Sequence, residues 1–208
     1  VGLFDQTSFA KFQFAGRDAL AVLNQVCANQ IDVAPGRTVY TQWLNERGGI
    51  EADLTVTRVA EDDFLIVTSA TSQMRDFHWL KKHIPDDAYA HLVDVTSAYA
   101  VLSIMGPKAR DLLASITDAD MSNEAFPFGA SQMIHIGYAP VRATRLTYVG
   151  ELGWELYIPS EFAQGVYDEI VSAGAAFDLR HVGYHAMDSL RIEKAYRHWG
   201  HDITDEGT

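Results

Sequence analysis

The sequence predicts an α+β protein with two similar lobes, each made of an antiparallel sheet and helices. Strand and helix patterns alternate along all 208 residues, and only short turns separate them. A strand, a glycine and a helix also occur in the same order around Gly16 and around Gly106, which lie 90 residues apart. We therefore expect a first lobe over residues 1–95 and a second lobe over residues 96–208, packed closely into one unit.

Apolar spacing locates the elements of the first lobe. A strand around Phe12 runs up to Gly16, and a helix follows that carries Cys27 on its apolar stripe. The pattern further predicts an antiparallel meander of three strands and a helix that ends before a proline. These strands are expected over 38–44, 49–59 and 64–69, and this helix over 72–84.

The second lobe repeats this order. An alternating apolar run over 99–105 ends at Gly106, and Pro107 is expected at the first position of a helix over 108–114. Further strands are predicted over 133–136, 141–149 and 154–158, and further helices over 161–173 and 184–196.

The composition favours a small-molecule or protein partner. The chain has 16 basic and 28 acidic residues, and its net charge of −12 repels nucleic-acid phosphates and anionic lipids, so we expect neither as a partner. No apolar stretch reaches the roughly 18 residues of a membrane span. Cys27 is the single cysteine, so no intramolecular disulfide can form, and we expect a buried, unreactive thiol. These features favour the bacterial cytoplasm or the mitochondrial matrix.

The first residues show no signal-peptide pattern and no initial methionine, and we expect a piece of a longer polypeptide. Three common motifs are absent from the sequence: the dinucleotide-binding glycine pattern, the phosphate loop and the nucleophile elbow of serine hydrolases. Nucleotide-cofactor binding and serine-hydrolase chemistry therefore lack their usual sequence support in this chain.

Acidic residues lie inside two predicted strands, where acidic side chains are unfavourable. The apolar side chains of the strand over 49–59 leave Asp53 and Thr55 on the other face. In the strand over 154–158 the same alternation isolates Glu155. These polar faces either contact water or line a cavity, in which one carboxylate can accept a proton and another can pair with nitrogen donors of a ligand.

Histidines offer a competing site. His198, His201 and Asp202 are close in sequence, as are His181 and His185, and imidazole is a common metal ligand. The first group contains a glycine turn rather than a helix face, and no fixed metal-binding motif surrounds either group. We therefore expect no metal site, and a metal-dependent hydrolase is kept only as an alternative.

The chain contains five collinear segments: GLFD at 2–5, LNERGGIEADL at 44–54, MGP at 105–107, YVGELGWE at 148–155 and SLRIE at 189–193. Together they resemble the folate-binding aminomethyltransferase family. That family includes the glycine-cleavage T-protein and the carboxy-terminal half of dimethylglycine and sarcosine dehydrogenases. The resemblance extends over essentially the whole chain.

The resemblance implies a tetrahydrofolate site in a cavity between the lobes. Asp53 corresponds to an aspartate beside the reacting folate amines and is the implied catalytic residue. Glu155 corresponds to a glutamate that accepts hydrogen bonds from the pteridine amino and ring N–H groups. Further cofactor-binding residues implied by the resemblance are Tyr148, which is similar to a tyrosine that packs against folate, Thr55, Val67 through its backbone, and Ser69.

Departures from the T-protein pattern indicate a branch of the family. Met187 stands where the T-protein usually has an arginine, so a folate contact of that branch is absent. The segments 153–156 and 194–202 are more similar to the dehydrogenases and oxidases, in which a separate flavin domain oxidises an N-methyl amine. The resemblance thus implies capture of the released one-carbon unit as 5,10-methylenetetrahydrofolate.

The implied partner is a flavin domain or subunit, with FAD on a domain that these residues do not encode. The carboxy-terminal β-barrel domain of the family is not encoded either. Two alternatives stay open. One is a T-protein that acts on an aminomethylated lipoyl carrier without flavin, and the other is a non-catalytic folate-binding protein of the same fold.

Overall fold

The structure is a computed structural model that describes residues 1–204, and these residues form two compact units. We name each unit after the strand carboxylate that it contains. The Glu155 unit consists of Val1–Ser8 and Ser97–Arg197. The Asp53 unit consists of Phe9–Thr96 and the segment that starts at His198.

Strands and helices alternate through the described residues, as the sequence patterns predict. In chain order the strands are β1 Gly2–Asp5, β2 Ala10–Ala15, β3 Arg37–Leu44, β4 Ile50–Ala60, β5 Asp63–Thr68, β6 His91–Asp94, β7 Tyr99–Met105, β8 Ser131–Ile136, β9 Ala139–Thr144, β10 Gly153–Pro159 and β11 Arg180–Val182. The α-helices are α1 Ala19–Val26, α2 Gln73–Lys82, α3 Ala109–Ala114, α4 Ala163–Gly174 and α5 Tyr184–Glu193. None of these helices combines the length and the hydropathy that crossing a membrane requires.

The Asp53 unit has a five-stranded antiparallel sheet in the order β3-β4-β5-β2-β6. One face of this sheet packs against α1 and α2, and Phe12, Trp43 and Leu54 are buried in the resulting core. Burial of each such side chain stabilises the fold by roughly 1.5–3 kcal/mol. Because successive strand residues point to opposite faces, the side chains of Asp53 and Thr55 lie on the face away from this core.

The Glu155 unit has a six-stranded sheet in the order β11-β1-β7-β10-β9-β8, in which only the β1–β11 pair is parallel among the described pairs. Helices α3 and α4 cover one face, with Ile104, Leu112 and Trp154 in the core. On the opposite face α5 contributes Met187 to a small apolar cluster that includes Phe4. Glu155 lies on this second face, because it alternates with the core residue Trp154.

The strand, glycine and helix order that occurs twice in the sequence corresponds to two turns of the same conformation. Gly16 after β2 has φ of +139°, and Gly106 after β7 has φ of +134°. In each turn the first helical residue donates its backbone N–H to the glycine carbonyl, at 2.9 Å from Ala19 and 3.0 Å from Ala109. Glycine adopts positive φ without steric strain, so one backbone constraint explains both glycines.

The terminal segments differ from the predicted lobes. β1 was expected in the first lobe but pairs with β7 and β11 in the Glu155 unit. The segment that starts at His198 was expected in the second lobe but belongs to the Asp53 unit. The predicted boundary between residues 95 and 96 is close to the observed division after Thr96. Each end of the chain, however, belongs to the other unit from the one predicted. Pairing between distant segments decides this, and it leaves no local sequence pattern.

Several elements also end or begin elsewhere than predicted. β9 ends at Thr144 rather than at residue 149, since the chain turns there and reaches a positive φ at Gly150. α5 ends at Glu193 rather than at residue 196, since Ala195 has a positive φ of 60°. Pro107 precedes α3 instead of opening it. The strands β1, β6 and β11 were not predicted, because three or four residues are too few to show alternation.

We expect Gly16→Ala to destabilise the protein by about 2–4 kcal/mol. A Cβ at this position would lie 2.3 Å from the backbone oxygen of Tyr89, in addition to the strained φ. Gly165→Ala is the matched control, because nothing lies within 4 Å of its Cβ position and alanine favours the helix. Chemical denaturation gives the free energy of unfolding of both variants. If Gly16→Ala were as stable as Gly165→Ala, the constraint at Gly16 would be contradicted.

Candidate functional site

Asp53 lies in the middle of β4, and the neighbouring strand β3 fixes its carboxylate. Asp53 is partly buried and pairs with Gln42, whose Nε2 donates to Asp53 Oδ1 at 2.9 Å. The turn between the two strands is closed by Asn45, whose Oδ1 accepts from the backbone N–H groups of Arg47 at 3.0 Å and Gly49 at 2.9 Å. This turn joins the two strands, and a one-residue register shift next to it brings Gln42 opposite Asp53.

The pKa of Asp53 is raised above its ordinary value, mainly because burial disfavours the charged carboxylate. Hydrogen bonds from Tyr40 and Gln42 and the electrostatic interaction with His198 act in the opposite direction and lower the pKa. The carboxylate is therefore held by donors on one side and is a stronger base than an exposed aspartate.

The segment that starts at His198 packs on the beginning of β4 within the Asp53 unit. The indole N–H of Trp199 donates to the backbone oxygen of Ile50 at 3.1 Å, and the Arg75 guanidinium lies 4.4 Å from the centre of the Trp199 ring. These contacts hold Trp199 in place. Because His198 is the preceding residue, they also restrain His198, which lowers the pKa of Asp53. A pocket of about 350 Å³ beside this anchor is lined by Thr71, Ser72, Arg75, Trp199, Gly200 and Thr204.

The other predicted residues of this unit lie on β5 or close to it. Thr55 and Val67 are direct partners across β4 and β5, on the same face as Asp53. Val67 also pairs with Lys11 on β2, so it lies between two strands of the sheet. Ser69 follows β5, and its hydroxyl accepts from the backbone N–H of a nearby threonine at 3.3 Å.

Glu155 occupies the interior strand β10 of the other sheet. Ser103 on β7 and Thr144 on β9 lie directly opposite it, so small hydroxyl side chains flank the carboxylate. The hydroxyl of Tyr157 donates to Glu155 Oε2 at 2.6 Å. Burial raises the pKa of Glu155, and the Tyr157 hydrogen bond acts in the opposite direction. The Tyr157 hydroxyl thus stabilises the negative charge of Glu155 where little water reaches the carboxylate.

Tyr148 lies in the loop between β9 and β10 and not in a strand, contrary to the predicted strand over 141–149. The next residue, Val149, is buried in the apolar cluster on the α5 side of the Glu155 unit. Tyr148 packs against that cluster, and its ring centre lies 6.4 Å from that of Tyr196. Burial of Val149 therefore fixes the backbone of this loop next to Tyr148.

One histidine of each group lies within hydrogen-bond distance of another side chain. Within residues 1–204, no three His, Cys, Asp or Glu side chains are placed so that they could hold one metal ion. His201 Nδ1 lies 3.1 Å from Asp202 Oδ1, and His181 Nε2 lies 2.9 Å from the Tyr167 hydroxyl oxygen.

Cys27 follows the last residue of α1 and is buried, as its position on the apolar stripe predicts. Burial raises the pKa of its thiol to about 12. The thiolate is the reactive form of cysteine, so this side chain is unsuited to nucleophilic chemistry at neutral pH.

Three residues next to the carboxylates were missed by the sequence patterns: Tyr40, Gln42 and Tyr157. Tyr40 and Gln42 share one face of β3, and continuing the pairing of Leu44 with Ile50 without a shift would place Thr41 opposite Asp53. The register shifts by one residue near the turn, and this shift brings Gln42 there instead. Tyr157 could have been found, since residues two apart in a strand share a face.

The whole chain, residues 1–208, matches the family described as the GCVT N-terminal domain, and the chain belongs to that family. It is 44% identical over 203 residues to the 4-methylaminobutanoate oxidase (formaldehyde-forming) of Paenarthrobacter nicotinovorans, covering 98% of this chain and 24% of the oxidase. It is 41% identical over 216 residues to the mitochondrial sarcosine dehydrogenase of Mus musculus, covering 97% of this chain and 23% of the dehydrogenase. The chain thus spans about a quarter of the length of these relatives.

Among solved structures, the chain is similar to the glycine cleavage system aminomethyltransferase T from Bartonella henselae. The TM-score is 0.85 and the identity 28%, and the match covers 99% of this chain and 54% of that chain. The family and the α+β aminomethyltransferase fold predicted from the sequence are therefore confirmed.

We expect Asp53→Asn to raise the Tm near neutral pH by on the order of 2 °C. Because burial raises the pKa of Asp53 in the folded state, its contribution to stability is present below the unfolded pKa of about 3.9 and is lost as the pH rises through the folded pKa. Asparagine does not ionise, so the variant does not lose this stability as the pH rises. The difference in Tm between the variant and the wild type should therefore disappear at acidic pH. Thermal unfolding over a pH series measures the effect, with Asp62→Asn in an exposed turn as the control. A variant less stable than the wild type at neutral pH would contradict the expectation.

Proposed function

We propose that this chain is the tetrahydrofolate-binding module of an amine dehydrogenase-like or oxidase-like protein. In this function it captures the one-carbon unit released from an N-methyl amine, of dimethylglycine or sarcosine type, as 5,10-methylenetetrahydrofolate. The identity to an amine oxidase and to a sarcosine dehydrogenase supports this reaction class. The observation that carries the proposal is a pair of buried or partly buried strand carboxylates, Asp53 and Glu155, each fixed by a donor and each with a raised pKa.

The surroundings of Glu155 fit the pteridine ring of folate. Tyr157 occupies Oε2, whereas Oε1 accepts no hydrogen bond from any of residues 1–204. A carboxylate binds neighbouring N–H donors well, and the pteridine amino and ring N–H groups are such donors. We therefore assign Glu155 to pteridine recognition.

Asp53 suits the proton transfer that accompanies carbon capture. Bound tetrahydrofolate would supply the two amine nitrogens between which the carbon is placed. As each of these nitrogens bonds to the carbon and loses its N–H proton, Asp53 would accept that proton and pass it to the amine nitrogen or the oxygen that leaves the carbon. Its raised pKa strengthens it as a base, and Gln42 keeps the carboxylate in one orientation.

The remaining cofactor contacts are proposed from the resemblance together with the positions of the residues. Thr55 and Val67 lie side by side on the polar face that carries Asp53. Thr55 would contact the ligand on this face, and Val67 would contact it through its backbone. Ser69 would contribute at the end of β5. Tyr148 would pack against folate from its anchored loop.

The proposed partner is an FAD-containing domain or subunit that oxidises the amine. The oxidase and dehydrogenase relatives support this proposal, and the chain spans about a quarter of their length. The proposed compartment is the bacterial cytoplasm or the mitochondrial matrix, and the Mus musculus relative is a mitochondrial protein.

A second candidate is an aminomethyltransferase that acts on an aminomethylated lipoyl carrier. The structural similarity to the Bartonella henselae enzyme favours it. Against it stands Met187, which fills the place of the T-protein arginine with a buried thioether that accepts a weak hydrogen bond from Gln6. Activity with such a carrier in the absence of flavin would favour this candidate over the first.

We expect Asp53→Ala to lower the formation of 5,10-methylenetetrahydrofolate by about 100-fold while amine oxidation continues at the normal rate. The variant lacks the proton acceptor but leaves the oxidising domain untouched. Both activities are measured in the intact protein, and Asp62→Ala removes an exposed carboxylate of the same unit as the control. Normal product formation by Asp53→Ala would refute the catalytic role of Asp53.

We expect Glu155→Gln to weaken tetrahydrofolate binding by about 10- to 100-fold, because an amide in place of the carboxylate turns one acceptor into a donor. Isothermal calorimetry on the intact protein measures the affinity, and Glu161→Gln is an exposed control in the same unit. Tetrahydrofolate binding by the wild type without any turnover would instead indicate a non-catalytic folate-binding protein.

A further inference from the structure

We infer that Tyr157 is a positioning residue for the folate ligand, and that its hydroxyl holds the Glu155 carboxylate so that Oε1 faces the ligand. The inference rests on the proposed function of Glu155. It concerns a residue that itself makes no contact with the pteridine and acts only through the carboxylate.

The geometry gives Tyr157 one position relative to Glu155. The two residues are two apart in β10, so both side chains lie on the same sheet face. The Tyr157 hydroxyl lies 2.6 Å from Glu155 Oε2, and Tyr157 is only 3% exposed. Val101 on β7 and Arg142 on β9 pair with Tyr157 from either side. A buried ring between two strands cannot swing away from the carboxylate.

The direction of the hydrogen bond is fixed by chemistry. Burial and the adjacent Glu155 charge raise the pKa of Tyr157 well above its ordinary value, so the phenol keeps its proton. A protonated phenol has one O–H donor, and an ionised carboxylate only accepts. Tyr157 therefore uses its single proton on Oε2, and the second oxygen of Glu155 is left for another donor.

This arrangement has two effects on ligand binding. A glutamate side chain has several rotatable bonds, and a carboxylate already held in place loses less conformational entropy when a ligand binds. A donor to the charged form also favours ionisation against the opposing effect of burial. Loss of the hydroxyl should therefore weaken recognition of N–H donors even though the carboxylate is still present.

The test is a double-mutant cycle measured by calorimetry with tetrahydrofolate on the intact protein. We expect Tyr157→Phe, which keeps the ring, to lower the affinity by about tenfold in the wild-type background. In a Glu155→Gln background the same change should alter the affinity by less than about twofold, since no carboxylate remains to be positioned. Thermal unfolding of each variant reports separately on its stability.

Tyr167→Phe is the matched control, since it removes a hydroxyl of the same unit that pairs with His181, and we expect it to bind as the wild type does. An equal loss of affinity on Tyr157→Phe in both backgrounds would overturn the inference, because the tyrosine would then act on the fold and not through Glu155. Binding that depends on Glu155 but not on Tyr157 would overturn this inference alone. No tetrahydrofolate binding by the wild type would overturn the proposed function as well.

Discussion

Each sheet of this protein has one face in an apolar core, and strand alternation sends every second side chain to the other face. This constraint places both candidate carboxylates. Leu54 on β4 and Trp154 on β10 are buried against helices, so their neighbours Asp53 and Glu155 must lie on the opposite faces. Shifting either strand by one residue would exchange the two faces and bury a charge in the core. The strand register that packs the core therefore also fixes the positions of Asp53 and Glu155.

The second faces are not simply solvated surfaces, and their hydrogen bonds explain how the charges are tolerated. Burial opposes the charge on each carboxylate, and nearby donors oppose that effect. Gln42 supplies such a donor to Asp53, and Tyr157 supplies one to Glu155. Keeping a carboxylate charged costs more free energy when it is buried with few donors than when it is solvated. The buried carboxylate is nevertheless held in one orientation, and its raised pKa makes it a stronger base. Such a balance is typical of functional sites, where stability is reduced in favour of chemistry.

A register shift next to the turn between β3 and β4 connects the backbone to the Asp53 site. It displaces the pairing by one residue between Trp43 and Leu44. Such shifts leave a backbone group outside the regular ladder, and the oxygen of Glu51 accepts a hydrogen bond from Arg75 in this region. Arg75 also stacks on Trp199, which binds the first residue of β4. The beginning of β4 is thus supported by side chains from α2 and from the segment after residue 197.

The sequence by itself determined the class of the fold, the face on which each carboxylate lies, the two glycine turns and the family. These features follow from alternation, from positive φ at Gly16 and Gly106, and from short collinear motifs, all of which are local. Only the tertiary structure decided which unit each chain end joins, and that Gln42 rather than Thr41 holds Asp53. Pairing between distant strands and a one-residue register shift are long-range or cooperative effects, and no single stretch of residues encodes them.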